Sequence, residues 1–264
     1  MARRLWYKIT FRDFISNRYI WLFPLFAGTT WFLTLTILLI RWSSLGQPQY
    51  PGQVNPYVPF MVSFGFFAKH LSDIAAQVFQ PVFIVGCAFT GICFLGTMFA
   101  VHHVRYSPKF YGLVNDAHWR QILSLVALVS GLVAAGCLIL LSIFDTVDAH
   151  RPHRYLLMGT FGGLCLSALT TTVVWWDQTI GPVVFVGLRK WCIFNVCLVA
   201  CQFILGVLFL GFLYSGKYME SGILEWCITY MGSFWLLSFV GYTRFHEGYE
   251  PELESQGERQ PLLS

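Results

Sequence analysis

Six apolar stretches long enough to cross a bilayer, at 20–40, 81–101, 122–144, 155–175, 192–214 and 222–242, constrain this chain more than any motif in it. A helix rises about 1.5 Å per residue, so ~20 apolar residues cover ~30 Å of hydrocarbon. Lipid cannot satisfy open backbone N–H and C=O groups, so these stretches must close their hydrogen bonds internally as helices. The expected fold is all-α: a polytopic membrane protein with six transmembrane helices in one bundle. An even number of crossings returns both termini to one side.

Composition supports one membrane domain without a separate soluble one. The chain is 56% hydrophobic and 11% charged, where a soluble domain carries roughly 25% charged residues. The expected organisation is a basic N-terminal segment at 1–19, a transmembrane domain at 20–242 with a long outer loop at 41–80, and a disordered tail at 243–264. The first apolar run is longer than a signal-peptide core and should remain as an anchor. Twelve of the seventeen Lys and Arg residues fall in segments on the side of the termini, including Arg105, Arg120, Arg189 and Lys190. A positive excess of this kind marks the cytoplasmic face, so both termini are expected there. The net charge of +4 is spread along membrane edges and gives no reason to expect nucleic acid as a partner.

All eight cysteines lie in or beside apolar runs, which reads as small apolar packing and not as a disulfide or zinc framework. Cys192, near a membrane edge, is a candidate for palmitoylation. No nucleophile elbow, zinc-protease motif or phosphate-binding glycine loop occurs in the sequence. No catalytic residue, cofactor or metal is therefore expected. Span centres lack charges, which argues against a transporter.

The ionisable residues at the expected outer edge are the best site candidates. Asp145 follows the third span, His153 precedes the fourth, and Glu225 lies just inside the sixth. With Ser63 of the outer loop they form an expected outer-face polar cluster. A carboxylate at that depth needs pairing or hydration. A clamp between helix ends, a lipid-headgroup contact, and a catalytic or metal site are all open readings. In span four, Gly159, Gly163, Ser167 and Thr171 recur every four residues and share one helix face. Such a stripe lets a neighbouring backbone approach closely. In span five, Asn195 and Gln202 share a face and are expected to hydrogen-bond inward. His102 and His103 sit beside Arg105 on the cytoplasmic edge, where an interfacial cluster near anionic lipid is expected. The tail ends Glu258-Arg259-Gln260-Pro261-Leu262-Leu263. Glu258 with Leu262 and Leu263 spells an acidic dileucine signal of the kind read by clathrin adaptors.

Four segments in order carry a family resemblance: Val-Pro-Phe-Met-Val-Ser-Phe-Gly at 58–65, Pro-Val-Phe-Ile-Val-Gly-Cys-Ala-Phe-Thr-Gly at 81–91, Leu-Ser-Ile-Phe-Asp-Thr at 141–146 followed by His153, and Leu-Glu-Trp at 224–226 continuing to Ser238 and Phe239. The set resembles the Frag/DRAM/Sfk family of six-span membrane proteins, and fungal Sfk-type members in particular. Two departures stand out. Ser63 is followed by Phe64 where members commonly have Asp, and Trp175-Trp176-Asp177-Gln178 replaces Glu-Tyr-like residues after span four. The resemblance implies a non-enzymatic regulator of lipid organisation that engages sterol and anionic phospholipids. It also implies recruitment of a cytoplasmic phosphatidylinositol kinase complex, at the plasma membrane. Its other branches imply alternatives: lipid remodelling of GPI anchors, or an autophagy role in the lysosomal or vacuolar membrane.

Overall fold

The structure is a computed structural model that describes residues 19–45, 80–106, 116–144, 150–180 and 186–244. The described residues form α1 (Leu22–Ser44), α2 (Gln80–Tyr106), α3 (His118–Ile143), α4 (His150–Val174), the short α5 (Trp176–Ile180), α6 (Val186–Tyr214) and α7 (Tyr218–Arg244). All but α5 are long and apolar enough to cross a membrane. The helices extend past the apolar runs at several ends. The second continues from Val101 through His102, His103 and Arg105, and the fifth begins several residues before Cys192. Polar residues at those ends keep helical geometry because the backbone bonds are already propagating there.

Proline falls where a helix tolerates it. Pro24, Pro81 and Pro152 all lie in the first turn of their helices, where an N–H has no intrahelical acceptor to lose. The tight turn between α6 and α7 is set by Gly216, whose φ is +73°. Its N–H donates to Leu213 O at 3.2 Å, and that of Lys217 donates to Phe212 O at 2.9 Å. This is a Schellman closure, and its left-handed residue is one that glycine adopts without steric cost.

The helices form a ring. Helix α2 lies between α1 and α3, α4 packs on α3, α7 packs on α1 and α6, and α4 meets α6 more sparsely. The chain's two described ends lie together, with the Arg244 guanidinium 5.1 Å from the Trp21 ring centroid. We call this the near end of the bundle and the opposite one the far end. The near half holds the larger core cluster, including Phe94, Met98, Trp175, Leu188, Trp235, Phe239 and Tyr242. A smaller cluster of Leu35, Trp42, Leu141, Leu157 and Trp226 fills the far half. Large apolar side chains also cover the outside, with α6 the most open helix. That pattern suits a lipid surround, where exposing Phe or Leu costs nothing.

Close backbone approach holds the α3–α4 pair. Gly159 faces Cys137, and Gly163 faces the Ser130 carbonyl and Ala134. Ser167 Oγ donates to Ala127 O at 2.9 Å and contacts Met98 Sδ at 3.1 Å. The α6–α7 pair uses polar side chains instead. Asn195 Nδ2 donates to Ser238 Oγ at 2.8 Å, and Gln202 Nε2 to Ile228 O at 3.5 Å. Trp31 Nε1 ties α1 to α7 through Thr229 O at 3.1 Å.

A Cβ added at Gly163 would lie 2.8 Å from the Ser130 carbonyl oxygen, which a backbone cannot relieve by rotating. Gly163→Val should therefore destabilise the protein by about 1–3 kcal/mol, the usual cost of overpacking. Gly136 has open space around its Cα, so Gly136→Ala should cost nothing. Thermal unfolding of both variants in one detergent checks the pair.

Candidate functional site

Ionisable side chains collect at the two ends of the bundle. At the far end, His153 occupies the first turn of α4 and is buried. Its Nδ1 lies 2.7 Å from Phe144 O, the residue that closes α3. A carbonyl only accepts, so Nδ1 carries the proton. This bond fastens the start of α4 to the end of α3 across the segment at 145–149. Glu225, on α7, is 4% exposed and adjoins Trp226. Trp226 and Leu157, one turn beyond His153, belong to the same apolar cluster with Trp42 of α1. The fold thus brings His153 and Glu225 to the rim of one aromatic-walled end, on helices far apart in sequence. Asp145 and Ser63 lie outside the described residues, as do Glu258, Leu262 and Leu263.

The near end holds a charge cluster that the sequence reading did not assemble. Arg105, in the last turn of α2, has a side chain with 0% exposure. Its Nε and Nη2 donate to Asp116 Oδ2 at 3.0 and 2.7 Å. Its Nη1 and Nη2 also donate to Asp177 Oδ1 and Oδ2, both at 3.3 Å. The Trp175 ring lies beneath the guanidinium, 5.0 Å to the centroid, a cation–π contact that needs little water. Arg120, in the first turn of α3, reaches Asp116 Oδ1 at 3.3 Å and Asp177 Oδ2 at 3.6 Å. Two cations and two carboxylates thereby cancel, with the ends of α2, α3 and α4 joined at one node. Asp116 also accepts from the Ala117 N–H at 2.9 Å, and Asp177 accepts from Gln178 Nε2 at 3.1 Å.

Local sequence explains why each member arrives there. Asp116 stands just before the first turn of α3, a position favourable for negative charge. Asp177 lies in the first turn of α5, two residues after the break at Trp175, which turns it back toward α2. Arg105 and Arg120 entered the sequence reading only as positive charges on an edge. The available signal was the presence of Asp116 and Asp177 in otherwise basic connections. His102 also differs from its expected interfacial setting: its Nδ1 pairs with Ser124 Oγ of α3 at 2.8 Å, and its ring packs on Tyr106. Cys192 is 1% exposed within the near-end core, which corrects the expectation of a modifiable edge thiol. Among the described residues, no group of three His, Cys, Asp or Glu is arranged to hold a metal ion.

Comparison with known proteins agrees with the geometry of a membrane bundle. The sequence model of the family described as "Frag1/DRAM/Sfk1/Cwh43P N-terminal domain" matches residues 19–241. Protein sfk1 of Schizosaccharomyces pombe (strain 972 / ATCC 24843) is 25% identical over 215 residues. That alignment covers 81% of this chain and 61% of the relative, so the chain spans about three-fifths of the length of the curated relative it matches. No solved structure matches the chain.

Removing one member of a buried ion cluster leaves the others desolvated and unpaired, at a cost of about 3–5 kcal/mol. Arg105→Gln should therefore lower the melting temperature sharply and reduce the folded yield. Arg105→Lys should fall well short of rescue, because an ammonium cannot donate in two directions along one plane. Fluorescence-detected gel filtration after graded heating measures both.

Proposed function

Since this chain belongs to the Frag1/DRAM/Sfk1/Cwh43P family of membrane proteins, we propose that it is a non-enzymatic multi-pass protein that organises lipids in its own membrane. The observation that carries the reading is the far end, where Glu225 and His153 are buried on the rim of an apolar, tryptophan-walled cluster. A carboxylate and an imidazole beside Trp42 and Trp226 offer polar contacts to a headgroup or a sterol hydroxyl, while the neighbouring aromatic surface suits acyl or ring carbon. Along the helix middles, the described residues include no Asp, Glu, Lys, Arg or His. A lipid acted on at one surface fits that distribution better than a solute moved through the bundle.

In this reading both termini face the cytosol, in keeping with the Lys and Arg excess on that side. The basic near end would favour anionic headgroups, at ~1 kcal/mol per basic residue close to the surface. Partner recruitment, with a phosphatidylinositol kinase complex as the partner implied by Sfk-type relatives, would use the cytosolic segments. The membrane is the plasma membrane, with passage to vacuole or lysosome through adaptor recognition of Glu258, Leu262 and Leu263.

Two measurements test this. Glu225→Gln and His153→Ala should alter the transbilayer distribution of a labelled aminophospholipid in cells, at protein levels matched to wild type. A wild-type distribution in both variants would remove the far end from the mechanism. Replacing Leu262 and Leu263 with alanine should shift the protein toward the cell surface. An unchanged location under microscopy would show the tail signal to be silent.

A further inference from the structure

The four-residue node at the near end is unevenly built. Arg105 holds Asp116 through bonds of 3.0 and 2.7 Å, and Asp116 is 5% exposed. It holds Asp177 only at 3.3 Å, and Asp177 is 22% exposed. Arg120 reaches the same Asp177 at 3.6 Å while itself 27% exposed. Its Nε is buried and makes no hydrogen bond. One side of the node is a closed fork. The other is a stretched pairing of one carboxylate with two guanidiniums, one of which has a donor left over. Charge-assisted bonds of this type are normally 2.7–2.9 Å long (roughly) when geometry is optimal, so the Asp177 arm is well short of saturation.

The surroundings give this arm a depth. Trp119 adjoins Arg120, whose guanidinium lies over its ring, and Trp176 adjoins Asp177; both residues are about half exposed on the bundle surface, at 51% and 46%. Tryptophan is enriched where hydrocarbon meets headgroups, so the open side of the node faces the layer that holds lipid phosphates. A phosphate offers several acceptor oxygens and matches the guanidinium fork better than one carboxylate shared between two arginines.

We infer that Arg105 and Arg120 form a binding site for the phosphate of an anionic phospholipid, with the Asp177 carboxylate as an internal stand-in that the phosphate displaces. On binding, Arg120 Nε gains an acceptor, and Asp177 swings out with α5. Asp116 keeps its hold on Arg105, so the ends of α2 and α3 remain joined. The exchange releases the joint between α4 and α6 from α2, and these two helices already meet more sparsely than the other neighbours in the ring. Headgroup occupancy at this end is thereby linked to the freedom of α4 and α6. The inference rests on the ion-pair geometry and its flanking tryptophans and deepens the near-end preference for anionic headgroups proposed above, so it stands or falls separately from the role assigned to the far end.

The test uses the purified full chain in detergent and equilibrium binding of fluorescent short-chain phosphatidate and phosphatidylserine, with phosphatidylcholine as the zwitterionic control. Wild type should prefer the two anionic lipids. Arg120→Gln should weaken that preference about five-fold, the equivalent of ~1 kcal/mol for one basic residue at a charged surface. Since the Arg120 side chain is 27% exposed where that of Arg105 is 0%, this variant should lose less melting temperature than Arg105→Gln. Asp177→Asn should strengthen it, because the internal competitor is gone. Displacement of bound lipid by inorganic phosphate at comparable concentration would keep the anion site and assign it to free phosphate; resistance to phosphate assigns it to the lipid. Equal binding of anionic and zwitterionic lipid by wild type, or no change in Arg120→Gln, overturns the inference. Because Arg120→Gln alone can decide the matter, a poorly folded Asp177→Asn would not rescue it.

Discussion

A lipid interior offers the chain no hydrogen-bond partner, and nearly every feature of the structure follows from that shortage. Backbone groups close on themselves in six long helices. Their hydroxyls do the same: Thr97, Thr160, Thr170 and Thr243 each donate to the carbonyl four residues back. Burial cannot drive the helices together as it would in water, because lipid is as apolar as leucine. Attachment must come from close backbone approach, as at Gly163, or from a few specific polar bonds, as at Asn195 and Trp31. The bundle uses the first device between α3 and α4 and the second between α6 and α7. These two pairs flank the sparse contact between α4 and α6.

The spans were legible in the sequence because their signal is local: length and lack of charge are read from a single window. The faces of α4 and α6 were legible for a related reason. A four-residue recurrence of Gly159, Gly163 and Ser167, or a seven-residue one of Asn195 and Gln202, fixes a helix face without knowledge of the neighbour. The node at Arg105 was not legible, since its acidic partner Asp177 comes from a different connection than Arg105, Asp116 and Arg120, and each residue looks ordinary alone. An arginine at the end of an apolar run is the usual topology marker. The break at Trp175, which sends Asp177 back toward α2, adds a second carboxylate to the one that Asp116 already supplies. The far end lies between these cases. His153 and Glu225 were singled out by their depth in the sequence. Their shared apolar wall of Trp42, Leu157 and Trp226 depended on the ring order of the helices, which no single sequence prints.

The two ends also use charge differently. In the near-end node two guanidiniums and two carboxylates are tied at 2.7–3.6 Å. They fix where the ends of three helices sit. At the far end one imidazole is held by a backbone carbonyl, and one carboxylate is buried beside tryptophan. The near end is an architectural joint with one loose arm. The far end places polar atoms against an apolar wall, the combination that an amphiphilic ligand requires.

The neutral node has a consequence for how the protein is made. During insertion, before α4 has met α2 and α3, Arg105 and Arg120 lack Asp177, the partner that comes from the later connection. They then count as two full positive charges when the orientation of the neighbouring spans is decided, whereas acidic residues weigh little in that decision. Once the helices assemble, Asp116 and Asp177 extinguish the same charges. A contribution of the two arginines to orientation would thus be made before the node closes, and the closed node then leaves little field of its own at that edge.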